Sequence, residues 1–126
     1  MVRVLIVEDQ TIFREELKRR LCEHFPSLIV EEAGDGAEAL QKVGKTPQHL
    51  IFMDIRLPGV NGLQLTQKIK AAFPEIHIAI LTDYDFPEYR EAAFRFGADR
   101  FFIKSSFNWD EVEALVRSLS RGAAAA

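Results

Sequence analysis

The chain is poor in cysteine. Its single residue of that kind, Cys22, excludes an internal disulfide and offers no thiolate set for a metal. It lacks a basic excess: 16 Lys and Arg stand against 19 Asp and Glu, a net charge of −3. No electrostatic footprint for a phosphate backbone follows from that balance, and no direct nucleic-acid binding is expected. No apolar run approaches the ~18 residues of a membrane span. The opening MVRVLIVEDQ meets charge at Arg3 and Glu8, too early for a signal peptide, so a cytoplasmic location without a membrane partner is expected. Internal repeats and low-complexity linkers are absent as well.

What remains is an ordinary globular composition, 48% apolar and 28% charged over 126 residues. That length suits one domain. The domain is expected over residues 1–120, with 121–126, ending in four alanines, as a tail or linker stub. Short runs of mostly aliphatic residues, Val2–Val7, Leu28–Val30, Leu50–Met53 and Ile76–Leu81, with a shorter one at Phe101–Ile103, suit strands buried on both faces. Amphipathic stretches lie between them. Ile12, Phe13, Leu17, Leu21 and Phe25 trace one helix face, and Gly36–Val43, Gly62–Phe73, Pro87–Phe96 and Asp110–Leu119 read similarly. Asp35 with Glu38, Asn61 with Gln64, Asp85 with Glu88, and Asn108 with Glu111 have the spacing of N-terminal caps. Pro87 suits a first helical turn, and Gly44 and Gly97 suit left-handed C-terminal caps. Five strand–helix pairs predict an α/β, doubly wound (βα)5 sandwich around a parallel sheet.

In such sheets ligands bind beyond the carboxyl ends of the strands. Glu8 and Asp9 follow the first predicted strand, Asp54 the third, Thr82 and Asp83 the fourth, and Lys104 the fifth. Three carboxylates in one crevice call for a cation, and oxygen-only ligands favour Mg2+. A hydroxyl and an ammonium beside them add an oxyanion trap, and a carboxylate can itself act as nucleophile and become an aspartyl-phosphate. Asp54, delivered by the apolar run LIFM and followed by the turn Leu57-Pro58-Gly59, is placed for that role. Taken singly, Asp9 reads equally well as a helix cap, and Glu8, Thr82 and Lys104 as solvated or turn residues; the set of four strand ends carries the argument.

The motifs VLIVEDQ, LIFMDIRLPGVNG, LTDYD and GADRFFIKSS resemble the receiver domain of two-component response regulators, with the fold of the bacterial chemotaxis regulator, over about Val2 to Leu119. The resemblance implies a flavodoxin-like strand order, 2-1-3-4-5. It implies that Asp54 accepts a phosphoryl group from a sensor histidine kinase or phosphotransfer protein. Asp9, Asp54 and the backbone carbonyl of Arg56 would bind Mg2+, Glu8 would act through water, and Thr82 and Lys104 would hold the phosphoryl oxygens. Such a domain catalyses only its own phosphorylation and dephosphorylation. Thr82 and Phe101 would form the switch, changing the surface of the fifth strand and its flanking helices for a homodimer or output partner, with transcription regulation as the output. Arg56, Asp83 and Tyr84 would tune the rates. Two departures stand out: Asp83 where a small residue is common, and Ser105 where a proline after a cis bond is frequent. A cis bond before Ser costs about 2.5–4 kcal/mol, so a trans bond is expected. The lack of that proline points mildly toward members with helix-turn-helix output.

Three other readings compete. An Mg2+-dependent phosphohydrolase usually needs a second Asp two positions after the nucleophile, where this chain has Arg56. A flavin-nucleotide binder needs a phosphate-cradling loop after the first strand, which EDQTIF does not supply. A phosphorylation-independent adaptor would not need Asp9, Asp54, Thr82 and Lys104 together. The late aromatics Tyr89, Phe94 and Phe96 cannot all face inward, so Phe94 or Phe96 is expected at a partner surface.

Overall fold

The computed structural model describes residues 2–125. Five strands alternate with five helices: β1 (Arg3–Val7), α1 (Thr11–His24), β2 (Ile29–Ala33), α2 (Gly36–Lys45), β3 (Leu50–Met53), α3 (Gly62–Ala72), β4 (His77–Thr82), α4 (Pro87–Arg95), β5 (Arg100–Ile103) and α5 (Trp109–Ala125). The strands form one parallel sheet in the order β2-β1-β3-β4-β5. The doubly wound architecture is the one expected from the alternation of apolar runs and amphipathic stretches, and the flavodoxin-like strand order is the one the resemblance implied.

Because successive strand residues face opposite sides, the runs in β1, β3 and β4 feed two separate cores. Leu5, Val7, Ile51, Met53, Ile78 and Ile80 pack with Ala39 and Val43 of α2, Leu65 and Ile69 of α3, and Ala93 of α4. Val4, Ile6, Leu50, Phe52, Ala79 and Leu81 pack with Leu17 and Leu21 of α1 and with Val112, Leu115 and Val116 of α5. Two helical layers therefore cover the sheet, and Glu8, Asp54 and Thr82 bring buried polar side chains to the carboxyl ends of its strands.

Several local expectations are corrected. β2 continues past Val30 through Glu31 and Glu32 to Ala33. As an edge strand it needs no continuous apolar run, since Glu31 faces Arg3 at 3.6 Å and Glu32 faces Arg14 and Lys18 at 3.4 and 3.5 Å. Gly44 lies inside α2 without positive φ, and Thr46 follows as the cap. Gly97 does take the left-handed conformation, at φ 107°. Asp35 accepts the Glu38 N–H as a cap. Asp85 does not cap α4, where Phe86 holds the cap position ahead of Pro87. The helix begins at Pro87 as expected, so the cap position falls on Phe86, and proline needs no donor partner. All described peptide bonds are trans, including that before Ser105. Phe94 is 46% exposed, whereas Phe96 packs against the core. Of the residues expected as a tail, 121–125 continue α5 and 126 lies outside the described residues.

Candidate functional site

The residues just past β1, β3 and β5 are still held in the ladder. The backbone N–H of Glu8 donates to the Ala33 carbonyl at 3.0 Å, that of Asp54 to Val7 at 3.0 Å, and that of Lys104 to Thr82 at 2.8 Å. The side chains expected to carry chemistry are thus fixed by the sheet itself. At Asp54 the fit extends to the following helix. A Cβ on Gly62 would lie 1.9 Å from the Asp54 carbonyl oxygen, so only glycine lets α3 begin against that strand end.

The carboxylates of Glu8, Asp9 and Asp54 each bring an oxygen within 4.8 Å of the others. The Lys104 ammonium sits between two of them, 2.5 Å from Glu8 Oε2 and 3.4 Å from Asp54 Oδ2. Both buried acids also accept backbone donors: Gln10 N–H donates to Glu8 Oε1 at 3.0 Å, and Ile55 N–H to Asp54 Oδ1 at 2.8 Å. Burial still dominates. It pushes Glu8 up to about 7, against the opposing pull of Lys104 and the Gln10 N–H, and it raises Asp54 above the ordinary range despite Lys104. For Lys104, burial works toward a lower value, yet Glu8 and Asp54 together prevail and raise it.

One ammonium against three carboxylates leaves the cluster short of positive charge. All the donors are hard oxygens, two of the carboxylates are buried at a cost that a bound cation would offset, and that set fits Mg2+. Glu8, open to reading as a solvated loop residue in sequence, is buried and paired directly with Lys104. Asp9 is the exposed member of the group.

Thr82 is buried, and its Oγ1 accepts the Tyr84 N–H at 3.2 Å, so its hydroxyl proton remains free to donate. Arg56 is exposed with its guanidinium 4.2 Å from the centre of the Tyr84 ring, while Asp83 lies open at the same rim. Phe101 is buried, and the Arg90 guanidinium lies 4.7 Å from its ring centre.

Two neighbours went unnoticed in the sequence as site residues. Phe13 places its ring 4.8 Å from the Lys104 ammonium, and Arg14 donates to the Glu8 carbonyl at 2.6 Å. Both lie in the first turn of α1, immediately after the acidic pair. That position was the available signal, although Phe13 also fits the apolar helix face.

Parallel order 2-1-3-4-5 and an acid-rich crevice with one buried lysine at the strand ends define a receiver fold. A model of the response regulator receiver domain matches residues 4–117, and the chain belongs to that family, the receivers of two-component systems. Oxygen regulatory protein NreC of Staphylococcus carnosus (strain TM300) is 33% identical over 122 residues, 96% of this chain and 56% of NreC. The transcriptional regulatory protein YxjL of Bacillus subtilis (strain 168) is 29% identical over 123 residues, 98% of this chain and 56% of that protein. The chain spans about half the length of the curated relatives it matches. Among solved structures, response regulator protein TrrA of Thermotoga maritima, in complex with Mg2+-BeF, is 34% identical at a TM-score of 0.82, covering 94% of this chain and 99% of TrrA. A LuxR-family response regulator from Aurantimonas is 32% identical at a TM-score of 0.83, covering 95% of this chain and 86% of that one. Among the described residues, no helix is long and apolar enough to cross a membrane.

Proposed function

We propose that Asp54 is the phosphoacceptor of this receiver and that a phosphohistidine on a sensor kinase or phosphotransfer protein is its donor. The observation that supports this most is the placement of Asp54 at the end of β3, with Oδ1 tied to the Ile55 N–H and Oδ2 3.4 Å from Lys104. A carboxylate oxygen of Asp54 attacks phosphorus, the P–N bond to the donor imidazole breaks, and the imidazole leaves with the electron pair. Lys104 gives up carboxylate contacts for a phosphoryl oxygen, and the Thr82 hydroxyl donates to another. Asp9, Asp54 and the Arg56 carbonyl would hold Mg2+, with Glu8 acting through water. When bound, Mg2+ neutralises charge on the phosphoryl oxygens. Hydrolysis of the product returns Asp54 to the carboxylate, so the domain catalyses only its own phosphorylation and dephosphorylation.

In this reading the receiver extends through α5, and the protein acts in the cytoplasm. Movement of Thr82 toward the phosphoryl group alters the space around Phe101 and so the α4–β5–α5 surface, where a second copy or an output partner docks. Phe94, exposed on α4, belongs to that surface. Transcription is the regulated output, as the names of the curated relatives suggest, and these 126 residues do not themselves contact nucleic acid. Asp83 and the Arg56–Tyr84 pair set phosphorylation rate and lifetime.

The test is intact mass after incubation with a small phosphodonor, with and without Mg2+, on wild type and Asp54→Ala. One added phosphoryl group, requiring Mg2+ and absent from the variant, is expected. If wild type and Asp83→Ala both remain unmodified, the protein is a phosphorylation-independent adaptor instead.

A further inference from the structure

Glu8 and Asp9 share one peptide group, and the orientation of that group sets where both carboxylates project. Its nitrogen side is not held by the sheet, because the ladder ends with the Glu8 N–H on Ala33. Its oxygen is held by a side chain: Arg14 Nη1 donates to the Glu8 carbonyl at 2.6 Å. The other edge of the same guanidinium faces β2, with Nε 3.4 Å from Glu32 Oε1. Glu32 is itself fixed, with Lys18 Nζ 3.5 Å from Oε2 and Lys42 donating to its backbone carbonyl. Arg14 Nε and Glu32 Oε1 are both shut off from solvent, and neither has a well-formed hydrogen bond elsewhere. This pair therefore has no water to fall back on if the link is cut.

We propose that Arg14 is a positioning residue for the cation site, clamping the Glu8–Asp9 peptide to Glu32 of β2. It touches none of the ligand oxygens. A planar guanidinium can serve a carbonyl on one edge and a carboxylate on another, whereas a single ammonium at the end of a flexible stem cannot hold both. The inference rests on the reading of the crevice as an Mg2+ site. Groups that orient metal ligands from behind commonly contribute about ten-fold or more to affinity, which sets the expected size of the effect.

The experiment is calorimetric titration of the full chain with MgCl2, paired with melting curves without metal. Wild type is expected to bind one Mg2+. Arg14→Met is expected to weaken binding about ten-fold, and Arg14→Lys by nearly as much although charge is retained. Glu32→Gln, which loosens the anchor while leaving Arg14 in place, is expected to weaken it by a smaller factor. Melting without metal should change too little in these variants to unfold them at the titration temperature. Wild-type affinity in Arg14→Lys would show a charge effect and overturn the clamp, as would unchanged affinity in Arg14→Met. A wild type that binds no Mg2+ would overturn the cation site itself, and the clamp with it.

Discussion

Two lysines mark opposite ends of the sheet, and their surroundings differ in the way a working site differs from a structural tie. Lys70, at the end where β4 begins, donates to the Ile76 carbonyl at 2.8 Å and lies 3.3 Å from both the Pro74 carbonyl and Asp99 Oδ2. Asp99 also accepts the Ile78 N–H at 2.9 Å, so that cluster joins α3, β4 and the α4–β5 connection with its charges matched. Lys104, at the carboxyl end, faces two buried carboxylates with a third close by. The Lys70 cluster is half-exposed and closed; the Lys104 cluster is buried and carries excess negative charge. Buried charge without full compensation costs stability, and a cation held by Glu8, Asp9 and Asp54 would offset that cost.

Each cluster has a glycine packed against it, and this offers the strongest way to break the comparison. Gly62→Ala drives a Cβ into the Asp54 backbone, and a loss of about 3 kcal/mol is expected, at the top of the range for overpacking. Urea unfolding measures it, and the surviving folded protein should bind Mg2+ poorly because the end of β3 has moved. At Gly97 the added Cβ meets the Lys70 side chain, its Cγ nearest at 3.1 Å, a flexible neighbour, although φ 107° is unfavourable for alanine.

Lys104→Met should cost about 2 kcal/mol in the metal-free protein, less than a fully broken buried pair because Glu8 can take up a proton. It should abolish phosphorylation while raising Mg2+ affinity, since the competing ammonium is gone. A fall in Mg2+ affinity would mean that Lys104 holds the carboxylates in place rather than competing for them.

The pH dependence has a definite sign. Glu8 titrates near 7 in the folded protein against 4.5 ordinarily, and Asp54 is raised as well. Both groups bind protons more tightly when folded, so their contribution is full below their unfolded values and is lost as pH rises through their folded ones, about 7 for Glu8. Metal-free stability should therefore decline by about 1–2 kcal/mol over that interval, while Mg2+ affinity, which needs ionised carboxylates, increases across it. The raised value of Lys104 acts only at much higher pH. Melting curves with and without MgCl2 should diverge as pH rises. Curves that stay parallel would place the titrating groups outside the cation site.

Lys70→Met gives the smallest effect, about 1 kcal/mol with Mg2+ affinity unchanged, because its exchange of partners with water is nearly balanced.

The two ends were unequally legible in the sequence. The central strands could be read because burial on both faces demands unbroken aliphatic runs, as in LIFM before Asp54. β2 was cut short, since an edge strand tolerates Glu31 and Glu32 when basic partners face them from β1 and α1. The site residues stood out because strand ends are fixed points in the pattern. The depth of Glu8 did not, since it is set by Lys104, 96 positions away. Nor was the Lys70–Asp99 tie visible: a lysine and an aspartate 29 positions apart carry no local pattern.

The central claim is that Asp54 itself becomes the acyl phosphate, and chemical trapping tests it most directly. After incubation with a small phosphodonor and Mg2+, borohydride converts an aspartyl-phosphate to homoserine with loss of phosphate, and peptide sequencing by mass locates the change. Conversion at position 54 alone is the predicted result. Conversion at Asp9 or Asp83, with position 54 unaltered, would contradict the account.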